Sequence, residues 1–277
     1  MAKELTYWEG KWSDEEPPIS YFNRAFRFGD GVFETIKFFN GKSPFLDFHL
    51  ERLSASCNAL KMHYSNSEEE CVLKALTQLS EHNDFRQAVV RIWAYREGTG
   101  KYTPTSNRVK LLLRVKTSES SAFKLNEKGL SVDLADSVVL SANQFSPLKS
   151  MNSLPYVMAS IEKEEKGFDE LLLQNQKGEV IEACSSNLFI VRNKVLYTPP
   201  VESGILNGVM RRVIIQIANQ AKMKVVEKAI SMDALQEADE LFLTNAISGI
   251  QWVKAFRKKR YFHKVSTSLM QLLNQKL

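Results

Sequence analysis

Hydrophobic and polar positions along the chain repeat with two periods, and each change of period marks an element. The stretch TIKFFNGKSPFLDFH predicts a strand, an Asn40-Gly41 turn and a short second strand. DFHLERLSASCNALKM then places Phe48, Leu53, Cys57 and Leu60 at helical spacing. SNSEEECVLKALTQLSEH predicts another helix, with Ser67 as its N-cap and acids in its first turn. QAVVRIWAY and RVKLLLRVK, rich in branched and aromatic residues, predict strands. KTSESSAFKLNEKG is polar and serine-rich and predicts a boundary. Beyond it come a strand (LSVDLADSVVLS), a helix closed by Gly167 (NSLPYVMASIEKEEKG), and a hairpin around Asn175 to Gly178. A second hairpin (NLFIVRNKVLYTP) and a helix with a buried stripe (NGVMRRVIIQIANQA) follow. MKVVEKAI, a short helix from Ser231, the segments DELFLTNA and GIQWVKAF, and an amphipathic terminal helix complete the chain. The order is that of a mixed α/β (α+β) protein without the regular alternation of a doubly wound sheet. It predicts two domains, over residues 1–117 and 129–277, joined by a linker at 118–128.

Composition narrows the class. The 277 residues suffice for one large or two medium domains. No stretch has the length of a membrane span, and MAKELTYWEG lacks the apolar run of a signal peptide. Cys57, Cys71 and Cys184 are widely spaced and odd in number, so they predict reduced thiols and a cytoplasmic protein. The four histidines have no metal-ligand spacing, so no metal is expected. The net charge of +5 suits small anionic substrates. KAFRKKRYFHK reads as a solvated strand and turn, with nucleic acid as the alternative. Neither a membrane nor a nucleic-acid partner is expected.

Candidate chemistry starts from a gap in the charge pattern. Between Ser137 and Ile161 the only charged side chain is Lys149, where ordinary composition would supply about six. A lysine in apolar surroundings is more easily neutral, and a neutral amine attacks carbonyls. The same residue could instead snorkel at a helix entrance. Glu182, late in a hairpin strand and followed by small residues and Asn187, either faces water or is a buried carboxylate that needs a cationic or proton-donating partner. Gly204 and Gly208 bracket a loop that opens a helix, so the amides of Val209 and Met210 are placed to meet an anion, unless the glycines are plain punctuation. LTNAISG reads as a second backbone nest or a simple strand end. Arg52, one helical turn beyond His49, is either a guanidinium for a phosphate or a surface residue. P-loop, GxGxxG and GxSxG signatures are absent.

Taken together, RAFRFGDGVFET, FHLERLSAS, LKSMNSL, EACSSNLF with LYTPP and GILNGVMRR, and ADELFLTNA resemble the class IV (fold-type IV) pyridoxal-phosphate enzymes. That family includes branched-chain and D-amino-acid aminotransferases and aminodeoxychorismate lyase. The resemblance spans nearly the whole chain in order. It implies a smaller N-terminal α/β domain and a larger cofactor-binding C-terminal domain with mostly antiparallel strands. It also implies a homodimer, with the active site between domains near the dimer interface. Pyridoxal 5′-phosphate is the implied cofactor, and Lys149 its Schiff-base lysine and proton shuttle. Glu182 is implied at the ring nitrogen and Arg52 at the phosphate, with Asn187 in the same cofactor-binding block. Val209 and Met210 are implied in the phosphate cup, and Asn245, Ala246 and Ile247 in a second phosphate loop.

No branch pattern is met in full. Met210 and Ala246 stand where the family often carries Thr, Leu154 where branched-chain enzymes carry Tyr, and Phe33 where the D-amino-acid branch carries Tyr. The loop YREGTGKYTPT has no His, and Thr35 matches a threonine of the lyase branch. Arg24, Arg96 and Lys101 are candidates for a substrate carboxylate. Phe26 and Phe33 read as core residues, with a substrate pocket as the alternative. The expected reaction moves an amino group from a small amino acid to a 2-oxo acid. Alternatives are release of pyruvate from aminodeoxychorismate, D-amino-acid transfer, or a non-enzymatic protein that binds the cofactor or nucleic acid.

Overall fold

Alternation of buried and exposed residues organises the first part of the chain. The computed structural model describes residues 3–277. The chain divides into two units. The first runs to Ala122 and takes in Leu148–Asn152 and Leu277; the second comprises Phe123–Pro147 and Ser153–Lys276. The change at Ala122 falls inside the polar stretch 118–128, which carries neither helix nor strand. Leu148–Asn152, placed by sequence with the C-terminal domain, clusters with the first unit because its backbone pairs there.

The first unit is built from β1 (Glu4–Trp8), β2 (Lys11–Ser13), α1 (Arg24–Phe28), β3 (Gly31–Phe38), α2 (Leu46–Ala59), α3 (Asn66–Ser80), β4 (Ala88–Arg96) and β5 (Val109–Thr117). Its strands form an antiparallel sheet in the order β2-β1-β5-β4-β3. On β3, Val32, Glu34, Ile36 and Phe38 are buried while Phe33, Thr35 and Lys37 are half-buried on the other face. Leu50, Leu53 and Cys57 of α2 and Val72, Leu76 and Leu79 of α3 join Ile36, Val90, Ile92 and Leu113 in one core.

Two local expectations change. Helix α3 is capped by Ser65, whose Oγ accepts from Ser67 N while Glu68 Oε2 accepts from Ser65 N at 2.8 Å. Ser67 is inside the helix, because the reciprocal Ser-x-x-Glu box starts two residues earlier. After the Asn40-Gly41 turn, the expected second strand is a single bridge, Phe39 to Lys42, and α2 follows at once.

The second unit contains β6 (Leu130–Leu140), α4 (Leu154–Lys166), β7 (Glu170–Asn175), β8 (Val180–Ala183), β9 (Asn187–Arg192), β10 (Val195–Thr198), α5 (Val209–Gln220) and β11 (Val225–Glu227). It continues through α6 (Met232–Glu237), β12 (Glu240–Asn245), β13 (Gly249–Phe256), β14 (Lys259–Arg260) and α7 (Lys264–Asn274). Its sheet runs β11-β10-β9-β12-β13-β6-β7-β8, and β8 pairs back to β9, which closes six strands on themselves. The pairs β10–β11, β13–β6 and β6–β7 are parallel and the others antiparallel, as expected for this half. Gly167 ends α4 in the left-handed conformation. The basic run near the C-terminus is the β13–β14 hairpin, a strand and turn. The three cysteines are unpaired. Among the described residues, no helix is long and apolar enough to cross a membrane.

Candidate active site

Lys149 is held by main chain. Phe33 N donates to Lys149 O at 2.8 Å, and Met151 N donates to Gly31 O at 3.0 Å, so the segment adds a short strand to the edge of β3. Alternation then puts the Lys149 amine over the exposed-side residue of β3: Nζ lies 4.4 Å from the centroid of Phe33. Phe33 is therefore not core. Phe26, also read as core, is 79% exposed on the short helix α1. Thr35 shares the face of Phe33.

On the buried face of β3, Glu34 receives Arg52 through Nε to Oε1 and Nη2 to Oε2, both at 2.7 Å, and His49 Nδ1 lies 2.7 Å from Oε2. All three side chains are buried. Burial alone would raise the Glu34 pKa, but the Arg52 guanidinium and the His49 and Arg52 hydrogen bonds outweigh it and hold the carboxyl down at about 2. Arg52 is thus not a surface residue: its fork is fixed by a carboxylate.

The candidate cations for a substrate carboxylate have other work. Arg24 is buried, with Nε on Asp30 at 2.7 Å and Nη1 on the carbonyl of Lys101 at 2.7 Å. Arg96 is buried too, with Nε on Asp30 at 2.9 Å, Nη1 on Asn107 and Nη2 on Leu60 O. Asp30 gathers both guanidinium groups and ties α1 to β4. The Lys101 side chain is exposed.

In the second unit, Glu182 and Asn187 face each other across the single β8–β9 pair. The turn between them is Ala-Cys-Ser-Ser, closed by Ala183 N to Ser186 O at 2.8 Å. Glu182 is 2% exposed. Its Oε1 accepts from the Tyr156 hydroxyl at 2.6 Å and its Oε2 from Leu206 N at 3.0 Å. Asn187 Nδ2 donates to Leu206 O at 2.8 Å, so the two side chains hold both sides of one residue in the loop that enters α5. Burial, with the Glu182 charge beside it, pushes the Tyr156 phenol well above its ordinary range, so it stays protonated and donates.

Helix α5 begins at Gly208, with no side-chain cap and no acid in its first turn. A Cβ on Gly208 would lie 1.8 Å from Asn187 Oδ1, so the loop can pass this close only without a side chain. Gly208→Ala should destabilise the protein by about 1–3 kcal/mol. Adding Asn187→Gly should return part of that, which urea unfolding of the two variants measures; equal stability of Gly208→Ala and the parent would contradict the contact. Val209 and Met210 follow with buried side chains. Arg211 is buried and latches α5 to Pro199 O at 2.7 Å and to Glu227. In the loop after β12, Asn245 Oδ1 accepts from Ile247 N at 3.0 Å and from Ser248 N at 2.8 Å, while its Nδ2 donates to Ser186 Oγ. The Ile247 amide is therefore already engaged within its own turn, and Ala246 sits inside that turn.

Sequence reasoning brought forward Lys149, Glu182 and Arg52 but passed over Glu34, Asp30, Tyr156 and Leu206. Glu34 had a signal: in VFETIKF it shares the period-two face of Val32, Ile36 and Phe38, which buries a carboxylate and demands a partner. Tyr156, an aromatic at the start of a helix, carried no signal.

The family model described as amino-transferase class IV matches residues 31–256. A Methanocaldococcus jannaschii protein assigned as a branched-chain-amino-acid aminotransferase is 33% identical over 255 residues, 88% of this chain and 85% of its own. The aminodeoxychorismate lyase of Bacillus subtilis is 29% identical over 284 residues, 98% of this chain and 94% of its own. Among solved structures, a Legionella pneumophila protein assigned as a 4-amino-4-deoxychorismate lyase superposes with a TM-score of 0.86 at 26% identity, covering 95% of this chain and 97% of its own.

Proposed function

The chain belongs to the class IV amino-transferase family, enzymes whose cofactor is pyridoxal 5′-phosphate, and on that premise we propose that it moves the amino group of a small amino acid to a 2-oxo acid. The observation that carries this reading is Lys149, a lysine alone in a charge-free segment and fixed by main-chain pairing with its amine on an aromatic face. The donor set suits the cofactor. The buried Glu182 carboxylate, held by the Tyr156 hydroxyl and the Leu206 amide, suits a protonated ring nitrogen. An uncapped helix start behind Gly208 suits a phosphate. When bound, the cofactor supplies an aldehyde that condenses with amines and a ring that accepts the electron pair left at Cα.

The residues divide the remaining work. Lys149 Nζ would hold the cofactor covalently until the amine of the substrate displaces it, and the freed amine would then take the Cα proton as a base and return it as an acid. Glu182 holds a proton at the ring nitrogen. Arg52 and the Val209 and Met210 amides bind the phosphate, and the turn built by Asn245 around Ala246 and Ile247 supports it. With Arg24 and Arg96 engaged by Asp30, backbone amides or Lys101 are left to meet the substrate carboxylate. Leu154, Val157, Met158 and Ile161 form an exposed apolar stripe on α4, which supports a homodimer. Unpaired cysteines accord with a cytoplasmic enzyme.

A second reading is lyase chemistry, favoured by the near full-length match to the Bacillus subtilis enzyme. One experiment separates them: L-leucine, L-glutamate, D-alanine and aminodeoxychorismate are added separately to the holoenzyme while its visible spectrum is recorded. Conversion of the cofactor to its amine form by one amino acid establishes transfer and the hand of the donor. Pyruvate release from aminodeoxychorismate with the spectrum restored, and no response to the amino acids, would replace transfer with elimination.

A further inference from the structure

The carboxylate of Glu182 is held by two elements at once. Its two oxygens accept from different donors, the Tyr156 hydroxyl on α4 and the Leu206 amide ahead of α5. The last torsion of a glutamate has broad wells, so donors at both oxygens fix the carboxylate plane better than donors at one. The side chain is 2% exposed, where protein donors do the solvating.

We infer that Tyr156 is a positioning residue for Glu182, whose phenolic O–H orients the carboxylate and keeps it ionised so that it holds a proton on the cofactor's ring nitrogen. The inference rests on the reading of Glu182 given above. A hydrogen bond donated to a carboxylate favours its charged form. Without the phenol the carboxylate becomes more basic and draws the shared proton toward itself. The ring then withdraws electrons less strongly, and the groups conjugated to it become less acidic. Tyr156 thereby sets how strongly the ring pulls electrons while touching neither substrate nor reacting carbon.

The test compares the Tyr156→Phe and Glu182→Gln holoenzymes. Tyr156→Phe keeps the ring and removes only the donor. Its bound cofactor should change its visible band at a pH about one unit higher than in the parent. The kcat should fall by about tenfold, with the KM for the amino donor within about twofold. Glu182→Gln should move the band's midpoint further in the same direction. Replacing Tyr156 by 3-fluorotyrosine, a stronger donor of the same shape, should move it the opposite way, and reads the same property if the Phe variant folds poorly. A shift in Glu182→Gln with none in either Tyr156 variant would overturn the role of Tyr156 and leave Glu182 in place. No shift in any of them would remove Glu182 from the ring, and the inference with it.

Discussion

Lys149→Ala should be purified without the visible band of a lysine-linked cofactor, and its turnover should fall by about 10⁴-fold or more. Two functions are lost together, the covalent link and the proton shuttle. The fold should stay, because the segment is held through the Lys149 carbonyl and the Met151 amide, which alanine keeps. Lys149→Arg should be as inactive, since a guanidinium is too basic to be a nucleophile at neutral pH. A small amine such as methylamine should restore part of the proton transfer to Lys149→Ala and none to Lys149→Arg. Borohydride reduction of the parent followed by peptide mass analysis should place the cofactor on residue 149. A band and near-normal turnover in Lys149→Ala would move the chemistry to another residue and undo the functional reading.

Glu34→Ala should be the most destabilising single change in the first unit, by about 3–5 kcal/mol. It leaves the buried Arg52 without the carboxylate that accepts two of its nitrogens and leaves His49 without its partner. Glu34→Leu combined with Arg52→Leu should recover much of the stability, because no unpaired charge remains, yet should bind the cofactor weakly. Thermal melting of the cofactor-free proteins reads the first effect and cofactor titration the second. Equal melting of Glu34→Ala and the parent would mean that the fork contributes nothing. The same carboxylate predicts acid sensitivity. Its folded pKa, about 2, lies below the ordinary 4.5, so its contribution is fully present above about 4.5 and is lost as pH falls toward 2. The loss over that window is roughly 3 kcal/mol, and Glu34→Gln should not show it.

Elements with a long single period were readable from sequence. Helix α5 and strands β4 and β5 show their stripe or alternation without help from neighbours. Strands β1 and β2 and the five-residue α1 were passed over, because each is too short for periodicity and is fixed by partners elsewhere: β1 by β5, and α1 through Arg24 and Asp30. The site divides the same way. Lys149 stood out because its neighbourhood in sequence lacks charge. Arg24 and Arg96 looked available for a ligand because nothing in sequence links them to Asp30, whose pairing with both depends on the turn after α1. Asn187 stood out as part of a motif, but its observed work is to brace Leu206 and leave room only for glycine at 208.

The short pairing of Lys149–Met151 with β3 has a consequence for biosynthesis. Strand β3 is an edge of its sheet, and Ser150 bridges Val32 across the span of almost the whole first unit. During translation that edge stays open until the lysine segment has been made, although every other strand of the sheet is already present. A chain stopped at Ala122 would therefore display unpaired amides and carbonyls along β3 and be prone to edge-to-edge association. The stretch that carries Lys149 also covers the start of that edge, at Gly31–Phe33, so this part of the sheet is protected from edge-to-edge association only once residue 151 has been made.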